Sequence, residues 1–171
     1  MAPEPEPPDG WLADGIINES EYKGSKSFAK MDIYWNYDDT YIYLGLFAPA
    51  PGWVSIGLTD AGNHTDADMM IGYVKSGTAY VFDCYHEGSG TQGDHPKDSE
   101  SGGSDDISVF GGIEENYKTT IEFKRALVTG DTYDYNIVIG NNNIIWAYSG
   151  DDGLIQKHVP QSRGSGVLVI E

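Results

Sequence analysis

The stretch Met31-Asp32-Ile33-Tyr34-Trp35-Asn36-Tyr37, then Asp38-Asp39-Thr40, then Tyr41-Ile42-Tyr43-Leu44-Gly45-Leu46-Phe47 decides the fold class. Met31, Ile33, Trp35 and Tyr37 alternate with Asp32, Tyr34, Asn36 and Asp38, the period of two that a half-buried strand requires. Asp38-Asp39-Thr40 supplies turn chemistry, and the run from Tyr41 to Phe47 reads as a strand buried on both faces. Working outward, Pro49 and Pro51 break that strand and Trp53–Leu58 starts another. Met69–Val74 and Tyr80–Tyr85 flank Ser76-Gly77 and read as a hairpin. Ile107–Phe110, Thr119–Phe123, Tyr135–Ile139, Ile144–Tyr148 and Val167–Ile170 resume the pattern, with a turn expected at Asn141-Asn142-Asn143. The best helical candidate is a single turn at Lys124-Arg125-Ala126. Roughly ten short strands with turn signals every 8–12 residues predict an all-β, antiparallel, immunoglobulin-like sandwich.

The composition agrees. Among 171 residues there are 12 Tyr, 4 Trp and 22 Gly, which suits short strands joined by tight turns. The length accommodates one domain with a real core. Met1–Asp9, rich in Pro and Glu, reads as a linker, and residues 10–171 as a single domain. A linker of this kind suits a secreted or cell-surface protein whose signal or anchor segment has been removed. The loop between His86 and Asp106 has no periodicity and is long for a compact domain.

The net charge of -17, with 10 Lys and Arg against 27 Asp and Glu, excludes a nucleic-acid binder, which needs clustered cations. It suits a partner with a basic surface. The single cysteine, Cys84, excludes an internal disulfide and sits where a strand interior is expected. No run approaches the roughly 18 apolar residues of a membrane span. There is no Gly-x-Ser-x-Gly, zincin motif or P-loop, so the chain reads as a non-enzyme. His86, Glu87, Asp94 and His95 match no familiar metal-ligand spacing. Asp98, Asp105 and Asp106, or Asp60, Asp66 and Asp68, could hold calcium, but oxygen-rich loops in acidic proteins are mostly solvated.

Five segments in order resemble the DOMON family: Asp14-Gly15-Ile16-Ile17 with Glu21-Tyr22; Gly52-Trp53-Val54-Ser55-Ile56-Gly57-Leu58; Ala67-Asp68-Met69-Met70-Ile71-Gly72; Glu122-Phe123-Lys124-Arg125-Ala126-Leu127 with Thr129-Gly130-Asp131; and Trp146-Ala147-Tyr148 followed by His158 and Arg163-Gly164. The resemblance runs from about Asp14 onward. It implies a β-sandwich that binds either haem b or sugars. In its haem-binding members the axial ligands are a Met ahead of the Ala-Asp pair and a His ahead of the last strand. Carried over, these positions fall on His64 and His158, with His where the family more often has Met.

The resemblance therefore implies a non-covalent b-type haem in an electron-transfer module with a redox partner protein. His64 and His158 would be the axial ligands, and neutral imidazole suits haem iron. Met69 and Met70 are alternatives for the first position. Trp53, Ile71, Tyr73, Trp146 and Tyr148 are candidate pocket walls, and Arg163 is a candidate partner for a propionate. The competing expectations are a carbohydrate-binding module stacking sugars on Trp11, Trp35, Tyr41 or Tyr43, and a surface domain without a ligand.

Overall fold

The structure is a computed structural model that describes residues 7–86, 95–154, 158 and 160–171. Residues 1–6 of the expected linker and 87–94 of the expected long loop lie outside the described residues. Among the described residues the chain forms ten strands: β1 Gly24–Phe28, β2 Met31–Tyr37, β3 Tyr41–Ala48, β4 Val54–Leu58, β5 Asp68–Lys75, β6 Thr78–Tyr85, β7 Ile107–Glu115, β8 Lys118–Ala126, β9 Gly140–Tyr148 and β10 Arg163–Ile170. One short helix, α1 Asp98–Ser101, precedes β7. Every ladder is antiparallel. One sheet has the order β1-β2-β3-β8-β7 and the other β10-β9-β4-β5-β6. This is the two-sheet sandwich that the alternation predicts.

The decisive stretch pairs with itself as β2 and β3, from Asp32 opposite Phe47 to Tyr37 opposite Ile42. Asp38 holds the turn between them, its Oδ1 accepting from the amides of Thr40 and Tyr41. Met31, Ile33 and Trp35 of β2, with Ile42, Leu44 and Leu46 of β3, meet Val54, Ile56, Met70, Ile144 and Trp146 of the second sheet in one buried core. The β5–β6 hairpin turns at Ser76 and Gly77, both with φ above +50°, the left-handed pair that a two-residue hairpin loop needs.

Burial of β3 on both faces has a concrete cause. The opening segment crosses the outer face of the first sheet. Trp11 packs on Tyr43 with ring centroids 5.0 Å apart, and Ile17 and Tyr22 close over Gly45. Glu122 of β8 fastens this strap, its Oε2 accepting from the amides of Asp14 (3.1 Å) and Gly15 (2.7 Å) and its Oε1 from the Tyr22 hydroxyl. Gly15 has φ +83°, and a Cβ there would lie 2.5 Å from the Ile113 amide nitrogen, so only glycine fits. Thus the Asp14-Gly15, Glu21-Tyr22 and Glu122-Phe123 segments are three parts of one clasp.

Three sequence expectations are corrected. Tyr135–Ile139 is not a strand: its amides go to Asp68 Oδ2 from Tyr135, to the Leu127 carbonyl from Ile137 and to Asn142 Oδ1 from Val138. Asn141-Asn142-Asn143 is not a turn but the start of β9, where it pairs with Val169, Leu168 and Val167. Lys124-Arg125-Ala126 ends β8 in place of forming a helical turn, held between β3 and β7. The strand β1, paired with β2 from Gly24 to Phe28, has no counterpart in the sequence reading.

Candidate functional site

The outer face of the second sheet carries a separate apolar surface. Cross-strand register places side chains that share this face in rows. One row runs Phe82, Ile71, Ser55, Ala147, Arg163, and the next runs Cys84, Met69, Gly57, Ile145, Ser165. Trp53, Ala67, Met69, Ile71, Cys84 and Ala147 form a buried cluster here, with Tyr73, Phe82, Ile145 and Leu154 packed against it. Gly57 makes the floor possible, because a Cβ there would meet Ile145 Cγ1 at 2.9 Å. Tyr73, Tyr80 and Phe82 extend it as a stack, with centroids 5.3 Å and 6.4 Å apart.

The expected site residues divide between two faces. Trp53, Ile71 and Tyr73 belong to the outer cluster, as does Met69. Arg163 lies on the same face, opposite Ala147 on the edge strand, and is exposed. Trp146 sits in the interior core with Tyr148 packed against that core, so these two are not walls of the outer surface. Odd and even positions of β9 point opposite ways, and the register with β4 sends Trp146 inward beside Ile56. Met70 also points inward, its sulfur 3.5 Å from Arg125 Nη1.

His64 and His158 stand at the two ends of this surface and are not in contact. His158 meets Trp53 edge-on at 6.2 Å between centroids. His64 is exposed at the Asp68 end of β5, where its carbonyl accepts from Ala67 and its ring meets His86 at 4.4 Å. The floor between them extends along β5 from Ala67 to the level of Tyr73, about 20 Å at the usual strand rise of ~3.3 Å per residue. His86 is buried at 4% exposure and in turn meets His95 at 5.5 Å. Three histidines thus gather at one end. The sequence reading paired His86 with His95 but did not connect them to His64. The connection comes from the strand-like exchange of Asp66 and Ala67 with His86, in which the Asp66 amide donates to His86 and the His86 amide to Ala67.

Beneath this surface, inside the sandwich, Arg125 is fully buried and bonds Asp68 Oδ2 at 2.9 Å and Asp134 Oδ2 at 2.8 Å. This joins the Ala-Asp segment to the Glu122–Leu127 segment. Burial pushes Asp68 up to about 6, against the pull of Arg125. It likewise lifts Asp83 to about 8 and Asp98 to about 7, with Asp134 and Asp68 adding repulsion to both. Asp98 is thus buried and not a solvated loop acid, and Asp68 is buried in the structural setting that the resemblance implies.

A family model for the DOMON domain matches residues 28–149. The chain belongs to the DOMON family. Among curated relatives of this DOMON chain, DBH-like monooxygenase protein 1 of Mus musculus is 28% identical over 120 residues, which is 70% of this chain and 18% of that protein. The chain therefore spans about a fifth of the length of such relatives. Two solved structures share the fold. The cytochrome domain of Myriococcum thermophilum cellobiose dehydrogenase superposes with a TM-score of 0.56 at 11% identity, covering 82% of this chain and 75% of that one. The cytochrome b domain of pyranose dehydrogenase from Coprinopsis cinerea gives 0.59 at 14% identity, covering 82% and 76%.

Proposed function

We propose that this DOMON domain is an extracytoplasmic b-type haem module that passes single electrons to a partner protein and is not itself an enzyme. The observation that carries the reading is the outer face of the second sheet. It is an apolar floor of Met69, Ile71, Ala147 and Trp53, bounded by histidines at both ends and by Arg163 at its margin. Apolar side chains suit a macrocycle, a guanidinium suits a propionate, and the His158 imidazole with the Met69 thioether suits iron, whereas His64 and His158 stand too far apart to ligate one iron together. His158, beside Trp53, would be one iron ligand and Met69, in the same apolar cluster as Trp53, the other; His64 lies at the far end of the floor. Haem iron, when bound, supplies a one-electron couple. The protein's part is to exclude water with the Trp53 cluster and to orient the imidazole and the thioether. The similarity to two cytochrome domains supports the reading at the level of fold. No helix among the described residues is long and apolar enough to cross a membrane. The charge of -17 suits a redox partner with a basic surface.

The experiment is reconstitution of the purified chain with haemin, followed by absorption spectra in both oxidation states. A low-spin cytochrome spectrum with sharp reduced bands is expected. His158→Ala should abolish it, Met69→Ala should convert it to a high-spin form, and His64→Ala should leave it unchanged. If the His158 and Met69 variants both keep the wild-type spectrum, or if His64→Ala abolishes it, the ligand assignment is wrong. The Tyr73–Tyr80–Phe82 stack favours a second reading, a carbohydrate-binding face. A colourless protein whose Trp fluorescence shifts with oligosaccharides would replace the first reading by this one.

A further inference from the structure

Arg125 is one guanidinium among four carboxylates. Asp68, on β5, and Asp83, on β6, are buried at 0% and 2% exposure, and Asp98, the first residue of α1, at 0%. Asp134 comes from the segment between β8 and β9, its side chain 1% exposed. One oxygen of each of three carboxylates is already engaged by the protein. Asp68 Oδ2 accepts from the Tyr135 amide and pairs with the Arg125 guanidinium, Asp83 Oδ2 accepts from the Asp106 amide, and Asp134 Oδ2 forms an ion pair with Arg125. The other oxygens, Asp68 Oδ1, Asp83 Oδ1 and Asp134 Oδ1, are buried and receive no donor, and neither oxygen of Asp98 does. Carboxylate oxygens of Asp68, Asp83 and Asp134 come within 4.8 Å of one another. Fully ionised, four negative charges against one positive leave three uncompensated, and uncompensated buried charge is strongly unfavourable.

We propose that Asp68, Asp83, Asp98 and Asp134 bind a calcium ion that fastens α1 and the segment around Asp134 to strands β5 and β6. The mutual spacing of the Asp68, Asp83 and Asp134 oxygens suits an ion held at about 2.3–2.6 Å, and the buried Asp98, without a donor on either oxygen, would complete the set. The donors are all hard oxygens, with no imidazole or thiolate in the set, which disfavours zinc and copper. Irregular placement on four separate segments suits the flexible coordination of calcium better than the strict octahedron of magnesium. A divalent ion reduces the excess of three negative charges to one, while Arg125 keeps its two carboxylate contacts. The haem reading is not needed for this site, which lies within the sandwich and not on its outer face.

The test uses the full chain, freed of metal with EGTA, and titrates calcium chloride while following thermal unfolding. Calcium at a hundred times its dissociation constant should raise Tm by roughly 5–10 °C, and magnesium at the same concentration by less. Terbium should bind in its place and luminesce on excitation of the neighbouring Tyr85 and Tyr133 rings, which lie 5.1 Å apart, and calcium should displace it. Asp98→Ala should abolish both the shift and the luminescence. If that variant does not fold, Asp98→Asn keeps the shape, removes the charge and should weaken calcium at least tenfold. Wild-type protein that shows neither a calcium-dependent Tm nor terbium luminescence overturns the proposal. So does a calcium shift that survives undiminished in the folded Asp98 variant, because the ion would then sit elsewhere on this acidic chain.

Discussion

Strand β8 carries two buried polar centres three residues apart, and they are resolved in opposite ways. Glu122 faces outward beneath the opening strap, where two amides and a hydroxyl meet its two oxygens. Arg125 faces inward, where one cation meets more carboxylate oxygens than the protein has donors to satisfy. The first centre is closed by the chain itself. The second is closed only in part, and that remainder distinguishes a structural clasp from a place where something else can bind. Both raise the pKa of their carboxyls through burial, so desolvation alone does not tell them apart; the count of donors does.

The comparison can be broken most forcefully at Arg125. Arg125→Met strands Asp68 and Asp134 without their cation and should cost about 3–5 kcal/mol, read as a lower midpoint in urea. At the other centre, Glu122→Gln keeps the shape but loses charge-assisted bonds to Asp14, Gly15 and Tyr22, at about 1.5–3 kcal/mol. The same urea measurement with calcium present should show equal losses for Glu122→Gln, because that centre has no room for an ion.

A pH series sharpens the contrast. Asp68 and Asp83, at about 6 and about 8, lie above their ordinary value of 3.8. The folded state therefore holds protons that the unfolded chain has released. Stability from this source is complete below about pH 4 and is lost as pH rises through 6 and then 8, at up to about 1.4 kcal/mol per pH unit for each such proton. In EGTA, urea midpoints should fall from pH 5 to 8.5, and calcium should flatten that fall. The mildest probe is Tyr22→Phe. It removes one hydrogen bond from Glu122 and the acceptor of the Trp11 indole, for about 0.5–1.5 kcal/mol.

Much of this was legible in residue order. Alternation located β2, a continuous apolar run located β3 as a strand buried on both faces, and the Ser76-Gly77 turn signal located the β5–β6 hairpin. Local pattern failed where side chains do the work of backbone. Asn142 looks like a turn residue, yet it is buried in β9, where its amide donates to the Val138 and Gly140 carbonyls. That bond helps hold Tyr135–Ile139, an apolar run with strand composition, out of a sheet. Trp146 was misassigned for a simpler reason: composition cannot say which of two apolar faces an aromatic residue occupies when both are covered. The DOMON segments could be recognised by their order, but not the contacts among them. Asp68 meets the Tyr135 amide across 67 residues, and no local pattern encodes such a meeting. The gathering of His64, His86 and His95 was hidden for the same reason, since it follows from how β5 and β6 pair.

The clasp at Glu122 also imposes an order of events. Gly15 and its acceptor are 107 positions apart, and translation delivers the earlier residue first. Residues 11–22 must therefore wait, undocked, until β8 has been made and laid beside β3. During that interval Tyr43 and Gly45 present a bare outer face to the surroundings. The earlier of these two segments is thus fastened only once β8 is in place, and under load or heat it is where the domain should begin to peel.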